Sequence, residues 1–123
     1  MPILEFTVVL KENEALSDST SAALAEAAAR VFQSDPGRTW VKLSTLKPEM
    51  YAEDAGGPPE GVAPIFVSVL KAHPDAVESR ALEAQALAEA VSELLDRPAA
   101  HIHIKYEPPA IGRVAFGGEL ILP

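Results

Sequence analysis

The chain has 123 residues, a formal net charge of −8 at pH 7 and a hydrophobic fraction of 48%. This length and composition predict one compact domain with a real core rather than a disordered chain, and the acidic balance argues against nucleic acid and anionic membranes as partners. The chain contains no cysteine, which excludes disulfides and thiol nucleophiles, and no apolar run approaches the ~18 residues of a membrane span.

The chain opens on a strand-like segment, residues 2–11, with apolar residues at every second position. The N-terminal residues lack the basic region of a signal peptide, so a cytoplasmic location is expected. If Met1 is removed, Pro2 carries a free secondary amine, a group with a reference pKa of about 8. Burial or a nearby cation would favour its neutral form and make it a base at pH 7. Alternatively, Pro2 only begins an edge strand, where a missing N–H costs nothing.

A helix and a second strand follow in the pattern. Residues 17–20 supply N-cap candidates, and the helical spacing of apolar residues continues to about Gln33. The next strand is predicted from Thr39 to about Leu46. Residues 48–61 are rich in glycine and proline and predict a loop.

The same order then repeats. Residues 64–71 predict a third strand and residues 101–106 a fourth, with a helix between them. The segment Pro74-Asp75-Ala76-Val77-Glu78 predicts that Asp75 caps this helix and that Glu78 occupies its third position. A turn-rich segment, residues 108–122, ends the chain.

The repeat predicts an α/β fold. A helix that connects two strands of one sheet makes them parallel, and two such units form one layer of strands with the helices beside it. We therefore expect tandem β-α-β units in one four-stranded mixed sheet with two helices on one face. The single domain would cover residues 1–123, with an internal repeat of residues 2–47 and 64–107. The opposite face would be polar and mixed, and would either be solvated or line a subunit interface.

Several of these features together resemble the tautomerase superfamily. Its members include 4-oxalocrotonate tautomerase, macrophage migration inhibitory factor (MIF) and malonate semialdehyde decarboxylase. The resemblance covers essentially the whole chain and includes the duplicated unit. The matching segments are Met1-Pro2-Ile3, residues 48–54, residues 95–107 and Gly112-Arg113-Val114-Ala115-Phe116-Gly117-Gly118-Glu119-Leu120, which looks like a C-terminal hairpin segment.

The resemblance implies a tautomerase-like domain that assembles as a homotrimer with its sheets facing inward. It implies that the processed Pro2 is the general base, or in some branches a cationic acid. The substrate would be a small anion, bound at a subunit interface by cationic side chains. No metal or organic cofactor is implied.

Three candidate substrate-binding residues follow from the resemblance near Pro2. Lys71 and His73 match positions where the decarboxylase and dehalogenase branches have paired arginines. Gly37-Arg38 stands where the decarboxylase branch has an aspartate, and Arg38 is a candidate substrate cation. These departures weaken dehalogenase and decarboxylase chemistry. Each side chain could instead be solvated.

Four further candidates come from other positions. His103 matches an active-site arginine or a pocket tyrosine of the relatives, and Lys42 is its counterpart in the first repeat. Val114 and Phe116 match an apolar pocket wall that would desolvate Pro2. Alternatively, His103 belongs to the polar trimer interior. His101-x-His103 is a weak metal pair without a third ligand, so no metal site is predicted.

The sequence thus predicts a cofactor-independent isomerase that tautomerises a small keto or enol carboxylic acid with Pro2 as the base. Two alternatives stay open. One is a dehalogenase or decarboxylase-type lyase of the same superfamily, and the other is a non-catalytic trimeric relative.

Overall fold

A computed structural model of the chain describes residues 2–73 and 75–123. It contains six strands and two α-helices in this range, with short 3₁₀ turns at Pro48–Met50 and Ala99–His101. In chain order these elements are β1 (Ile3–Val9), α1 (Thr20–Phe32), β2 (Trp40–Leu46), β3 (Ile65–Leu70), α2 (Val77–Leu95), β4 (Ile102–Tyr106), β5 (Ala115–Phe116) and β6 (Glu119–Leu120).

The first four strands form one mixed sheet in the order β2-β1-β3-β4. Strands β1 and β2 are parallel, β3 and β4 are parallel, and β1 and β3 are antiparallel. Each parallel pair is joined through a helix, and this confirms the predicted mixed sheet of two β-α-β units. Strands β5 and β6 pair separately as an antiparallel hairpin.

The core lies between the sheet and the two helices. Alternate residues of β1 and β3 face the helices and are buried, because the side chains of a strand point to opposite faces in turn. One apolar stripe from each helix covers them. The most buried members of this core are Leu4, Phe6, Val8, Leu24, Ala28, Ile65, Val69, Leu87 and Val91.

The start of α2 differs from the prediction. The N-cap is Ala76, without a side-chain hydrogen bond to the helix. The Asp75 carboxylate instead contacts the Lys71 ammonium at 2.8 Å. The Asp75 carboxylate, which the sequence pattern predicted to cap α2, therefore forms an ion pair instead. Pro74, the first residue of the predicted motif, lies outside the described residues.

The fourth strand is shorter than predicted. His101 belongs to a 3₁₀ turn, and β4 begins at Ile102. In the range that the structure describes, no helix is long and apolar enough to cross a membrane.

Candidate active site

Pro2 lies immediately before β1 and is buried. Its carbonyl oxygen accepts a hydrogen bond from the backbone N–H of Trp40 at 3.1 Å. Strand β1 has neighbours on both sides, so Pro2 does not begin an edge strand. A proline fits here because it precedes the first residue of the ladder, where no N–H is required. Met1 lies outside the described residues.

Lys71 lies next to Pro2 across the antiparallel pair. Ile3 pairs with Leu70, and the register continued by one residue places Lys71 opposite Pro2. Directly opposed Cα atoms in such a ladder are about 5 Å apart. The structure therefore brings the predicted base and one predicted cation to the same end of the sheet.

A cleft on the helix side of the sheet opens beside Lys71, with a volume of about 210 Å³. We call it the helix-side cleft. It contains both Lys71 and His73, which the sequence placed together, and His73 is exposed in it. Its lining residues are Val69, Lys71, His73, Asp75, Arg80, Tyr106, Glu107, Pro108 and Pro109.

The Lys71 charge is already compensated. Its ammonium donates to Asp75 Oδ2 at 2.8 Å and to the two carboxylate oxygens of Glu83 at 3.0 and 3.2 Å. Burial by itself lowers the pKa of Lys71, but the hydrogen bonds to Asp75 and Glu83 outweigh burial, and the pKa is raised. Binding of a substrate carboxylate by Lys71 would require these ion pairs to open.

Tyr106 completes this network. Its hydroxyl donates to Glu83 Oε1 at 2.8 Å. Burial of the phenol, together with the hydrogen bond to Glu83, strongly raises the pKa of Tyr106. The hydroxyl therefore stays protonated and holds the carboxylate in place.

The second cleft lies on the outer face of the sheet, at the same end, with a volume of about 390 Å³. We call it the outer cleft. Next to it, the rings of Trp40 and Phe116 pack edge to face with centroids 5.3 Å apart. Phe116 and Val114 are half-buried. The outer cleft is lined by Ile3, Glu5, Trp40, Lys42, Ser68, Leu70 and Glu107.

Arg38 precedes β2 and lies two positions before Trp40, whose backbone N–H donates to the Pro2 carbonyl. Its side chain is exposed and makes no ion pair with the residues that the structure describes. Arg38 is therefore a cation two residues along the chain from the Pro2 contact, it lines neither cleft, and its charge is not compensated within the described chain.

Lys42 and His103 lie further away. Lys42 pairs with Glu5 in the register and forms an exposed ion pair with it at 2.7 Å. In the strand register, His103 pairs with Phe66, and Phe66 pairs with Thr7. Thr7 lies five residues along β1 from Pro2, which is about 17 Å in a strand. The structure therefore does not bring His103 to Pro2 within one chain.

The sequence did not single out Arg80, Glu83 or Tyr106. Arg80 offered one signal, because it lies in the first turn of α2, where the helix dipole disfavours a cation. A cation at such a position needs another partner, and in the structure it lines the helix-side cleft. Glu83 and Tyr106 gave no comparable signal, because their contact joins α2 to the end of β4.

Across residues 2–73 and 75–123, no group of three or more histidine and acidic side chains is arranged to hold a metal ion. His103 packs against Phe66 with the two rings tilted by 42° and their centroids 5.4 Å apart.

Neither a protein-family model nor a curated protein sequence matches the chain. Solved structures do match it over nearly its full length. A fused 4-OT, solved as a symmetric trimer, superposes with a TM-score of 0.77 at 14% identity, covering 97% of this chain and 96% of the other. MIF from Oncomelania hupensis superposes with a TM-score of 0.73 at 17% identity, covering 98% and 82%.

Malonate semialdehyde decarboxylase also matches, with a TM-score of 0.68 at 18% identity over 94% of this chain and 90% of the other. All three are members of the tautomerase superfamily. The chain therefore has the tautomerase fold, and the resemblance seen in the sequence is confirmed at the level of the fold.

Proposed function

We propose that the chain is a cofactor-independent isomerase that tautomerises a small keto or enol carboxylic acid, with Pro2 as the general base after removal of Met1. The observation that carries this proposal is the position of Pro2. It is buried beside a central strand of a tautomerase fold, with clefts on both faces of the same sheet end.

The chemistry requires a neutral amine and a stabilised oxyanion. Burial disfavours the charged form of an amine, so the enclosed position of Pro2 favours the free base. The base removes a proton from the carbon next to the carbonyl, and negative charge develops on the oxygen. A nearby cation stabilises this charge. Arg38 serves this role because its charge is not compensated within the described chain.

The trimer is part of the proposal. Two fused 4-OT structures with this fold were solved as symmetric trimers. The outer face of the present sheet exposes Trp40 and Phe66, with exposed fractions of 44% and 38%. A face with large exposed aromatic rings favours burial against other subunits. His103 and Lys42, which lie on this face, would then approach the Pro2 of a neighbouring subunit.

A lyase of the same superfamily is the second candidate. It is favoured by the structural match to the decarboxylase and by the shared cleft of Lys71 and His73. A non-catalytic trimer is the third candidate. These candidates differ in their substrates and in their dependence on Pro2.

The test is a comparison of the processed chain with its Pro2→Ala variant. Phenylenolpyruvate and 2-hydroxymuconate report isomerase activity, and malonate semialdehyde and 3-haloacrylates report the lyase reactions. We expect turnover of the enols and a loss of at least about 100-fold in kcat/KM in the variant, as for removal of a general base. Unchanged enol turnover in Pro2→Ala would contradict the proposal, and turnover of the last two substrates alone would favour the lyase.

A further inference from the structure

The two cations of the helix-side cleft are in different electrostatic states. The Lys71 ammonium has three donors, and they are directed at Asp75 and Glu83 at distances of 2.8 to 3.2 Å. Two carboxylates surround one ammonium, so these three groups together carry a net negative charge. An arriving carboxylate would meet repulsion from both acids before it reached Lys71.

This network is shielded from water. The side chains of Lys71, Glu83 and Asp75 are 22%, 17% and 30% exposed. Lys71 also lies over the Phe32 ring, 5.2 Å from its centroid, and the Tyr106 hydroxyl donates to Glu83. Solvent therefore screens these ion pairs less than it would screen a fully exposed ion pair. The two carboxylates consequently oppose the binding of a competing anion by Lys71.

Arg80 is different. One of its N–H groups donates to the backbone carbonyl of Asp75 at 3.1 Å, and its guanidinium lies 5.6 Å from the centroid of the Tyr106 ring. It forms no ion pair with a described residue. A guanidinium has five N–H donors in a planar fork that matches a carboxylate. Arg80 therefore brings an uncompensated cation with spare donors to the wall of this cleft.

We propose that Arg80 binds the single carboxylate of the substrate and that Glu83 determines specificity by keeping Lys71 from binding a second one. The helix-side cleft would then select keto or enol monocarboxylates over dicarboxylates. This inference rests on the proposed function, which defines the substrate. The selectivity of the cleft for anions, however, is measurable without turnover.

The test uses two unreactive ligands with the same carbon skeleton. Sorbate is a six-carbon dienoate with one carboxylate, and trans,trans-muconate has a second carboxylate at the other end. Calorimetric titration of the processed chain gives the dissociation constant of each. We expect the wild-type chain to bind sorbate more tightly than muconate.

Glu83→Gln removes the negative charge but keeps the size of the side chain. We expect muconate affinity to rise by roughly tenfold relative to sorbate, because Lys71 becomes available as a second anchor. Glu89→Gln is the matched control, since Glu89 is an exposed residue of the same helix. In a Lys71→Met background, Glu83→Gln should have no effect on the ratio of the two affinities.

Arg80→Gln tests the first anchor. We expect sorbate affinity to fall by roughly tenfold and Arg80→Lys to restore part of it, with thermal unfolding used to check that each variant is folded. If the substrates of the proposed reaction are turned over, Glu83→Gln should lower KM for 2-hydroxymuconate more than for phenylenolpyruvate.

Three results would overturn the inference. These are an unchanged affinity ratio in Glu83→Gln, an unchanged sorbate affinity in Arg80→Gln, and no binding of sorbate by the wild-type chain. Failure of the proposed function has a different signature, because Pro2→Ala would then leave turnover unchanged while the affinity ratios still shift.

Discussion

The Arg97 guanidinium forms a bidentate ion pair with the Glu14 carboxylate, with N···O distances of 2.6 and 2.7 Å. The side chain of Arg97 is fully buried. It also donates to the backbone carbonyls of Val9, Leu95 and Ala63. One guanidinium thereby joins the ends of β1 and α2 and the segment before β3.

Shortening Arg97 should destabilise the fold. In Arg97→Lys the fork geometry is lost, and several carbonyls and the Glu14 carboxylate lose their donors. Leaving buried carbonyl acceptors without their donors in this way costs roughly 1–3 kcal/mol of the free energy of unfolding. Urea denaturation measures this loss. Arg30→Lys, on the exposed face of α1, is the control and should change the stability by less than about 0.5 kcal/mol. Equal midpoints for the two variants would show that the Arg97 network is not stabilising.

The same pair predicts a dependence of stability on pH. The hydrogen bond from Arg97 outweighs the desolvation of Glu14, and the pKa of Glu14 is lowered from its ordinary value of 4.5. A carboxyl group with a lower pKa in the folded state stabilises the protein above its unfolded pKa, and this contribution is lost as the pH falls through the folded pKa.

We therefore expect wild-type stability to fall below about pH 4.5 more steeply than that of Glu14→Gln, which has no charge to lose at this position. Denaturation curves from pH 3 to pH 7 measure the difference. The gap between the two proteins should narrow as the pH decreases. A gap that is constant across this range would contradict the assignment.

Phe116 should affect the protonation of Pro2. Phe116 packs on Trp40, whose backbone N–H binds the Pro2 carbonyl. Removing the ring in Phe116→Ala admits water to this end of the sheet, and a better solvated amine is more easily protonated. The acidic limb of the kcat/KM profile should therefore move to higher pH. Leu122→Ala is the control, because Leu122 is 70% exposed. Identical profiles for all three proteins would exclude a role of Phe116 in desolvation.

The outer face should control assembly. A charge on this face in Phe66→Glu should separate the proposed trimer, because the exposed ring would be buried between subunits. Sedimentation equilibrium measures the mass, and activity should fall with it if His103 acts in a neighbouring site. Leu82→Glu is the control, since Leu82 is 70% exposed on α2. A wild-type chain that sediments as a monomer would contradict this prediction.

The fold was accessible from the sequence because its signals are local. The alternation in β1 and the apolar stripe of α1 each extend over one element, and the repeat of this pattern predicts the sheet. The Arg97–Glu14 pair was not accessible, because its members are 83 residues apart and nothing in either segment requires the other.

The candidate site was accessible only in part. Lys71 and His73 line one cleft, as their positions just after β3 led us to expect, but their role in substrate binding stays a prediction. The compensation of Lys71 by Glu83 depends on how α2 packs over the sheet, which residue spacing does not determine. Asp75 shows the same limit. The capping pattern predicted that its carboxylate would cap α2, but the carboxylate forms an ion pair with Lys71 instead.

The proposed reaction requires the nitrogen of Pro2 to be a free amine that accepts the proton. This requirement is tested most directly by inserting one glycine between Met1 and Pro2, which keeps the proline ring but makes its nitrogen an amide. Intact mass spectrometry establishes the N-terminus of each protein, and thermal unfolding establishes that both are folded. We predict that enol turnover falls by at least about 100-fold in the extended chain. Equal turnover by the processed and extended chains would contradict the role of Pro2 as the base.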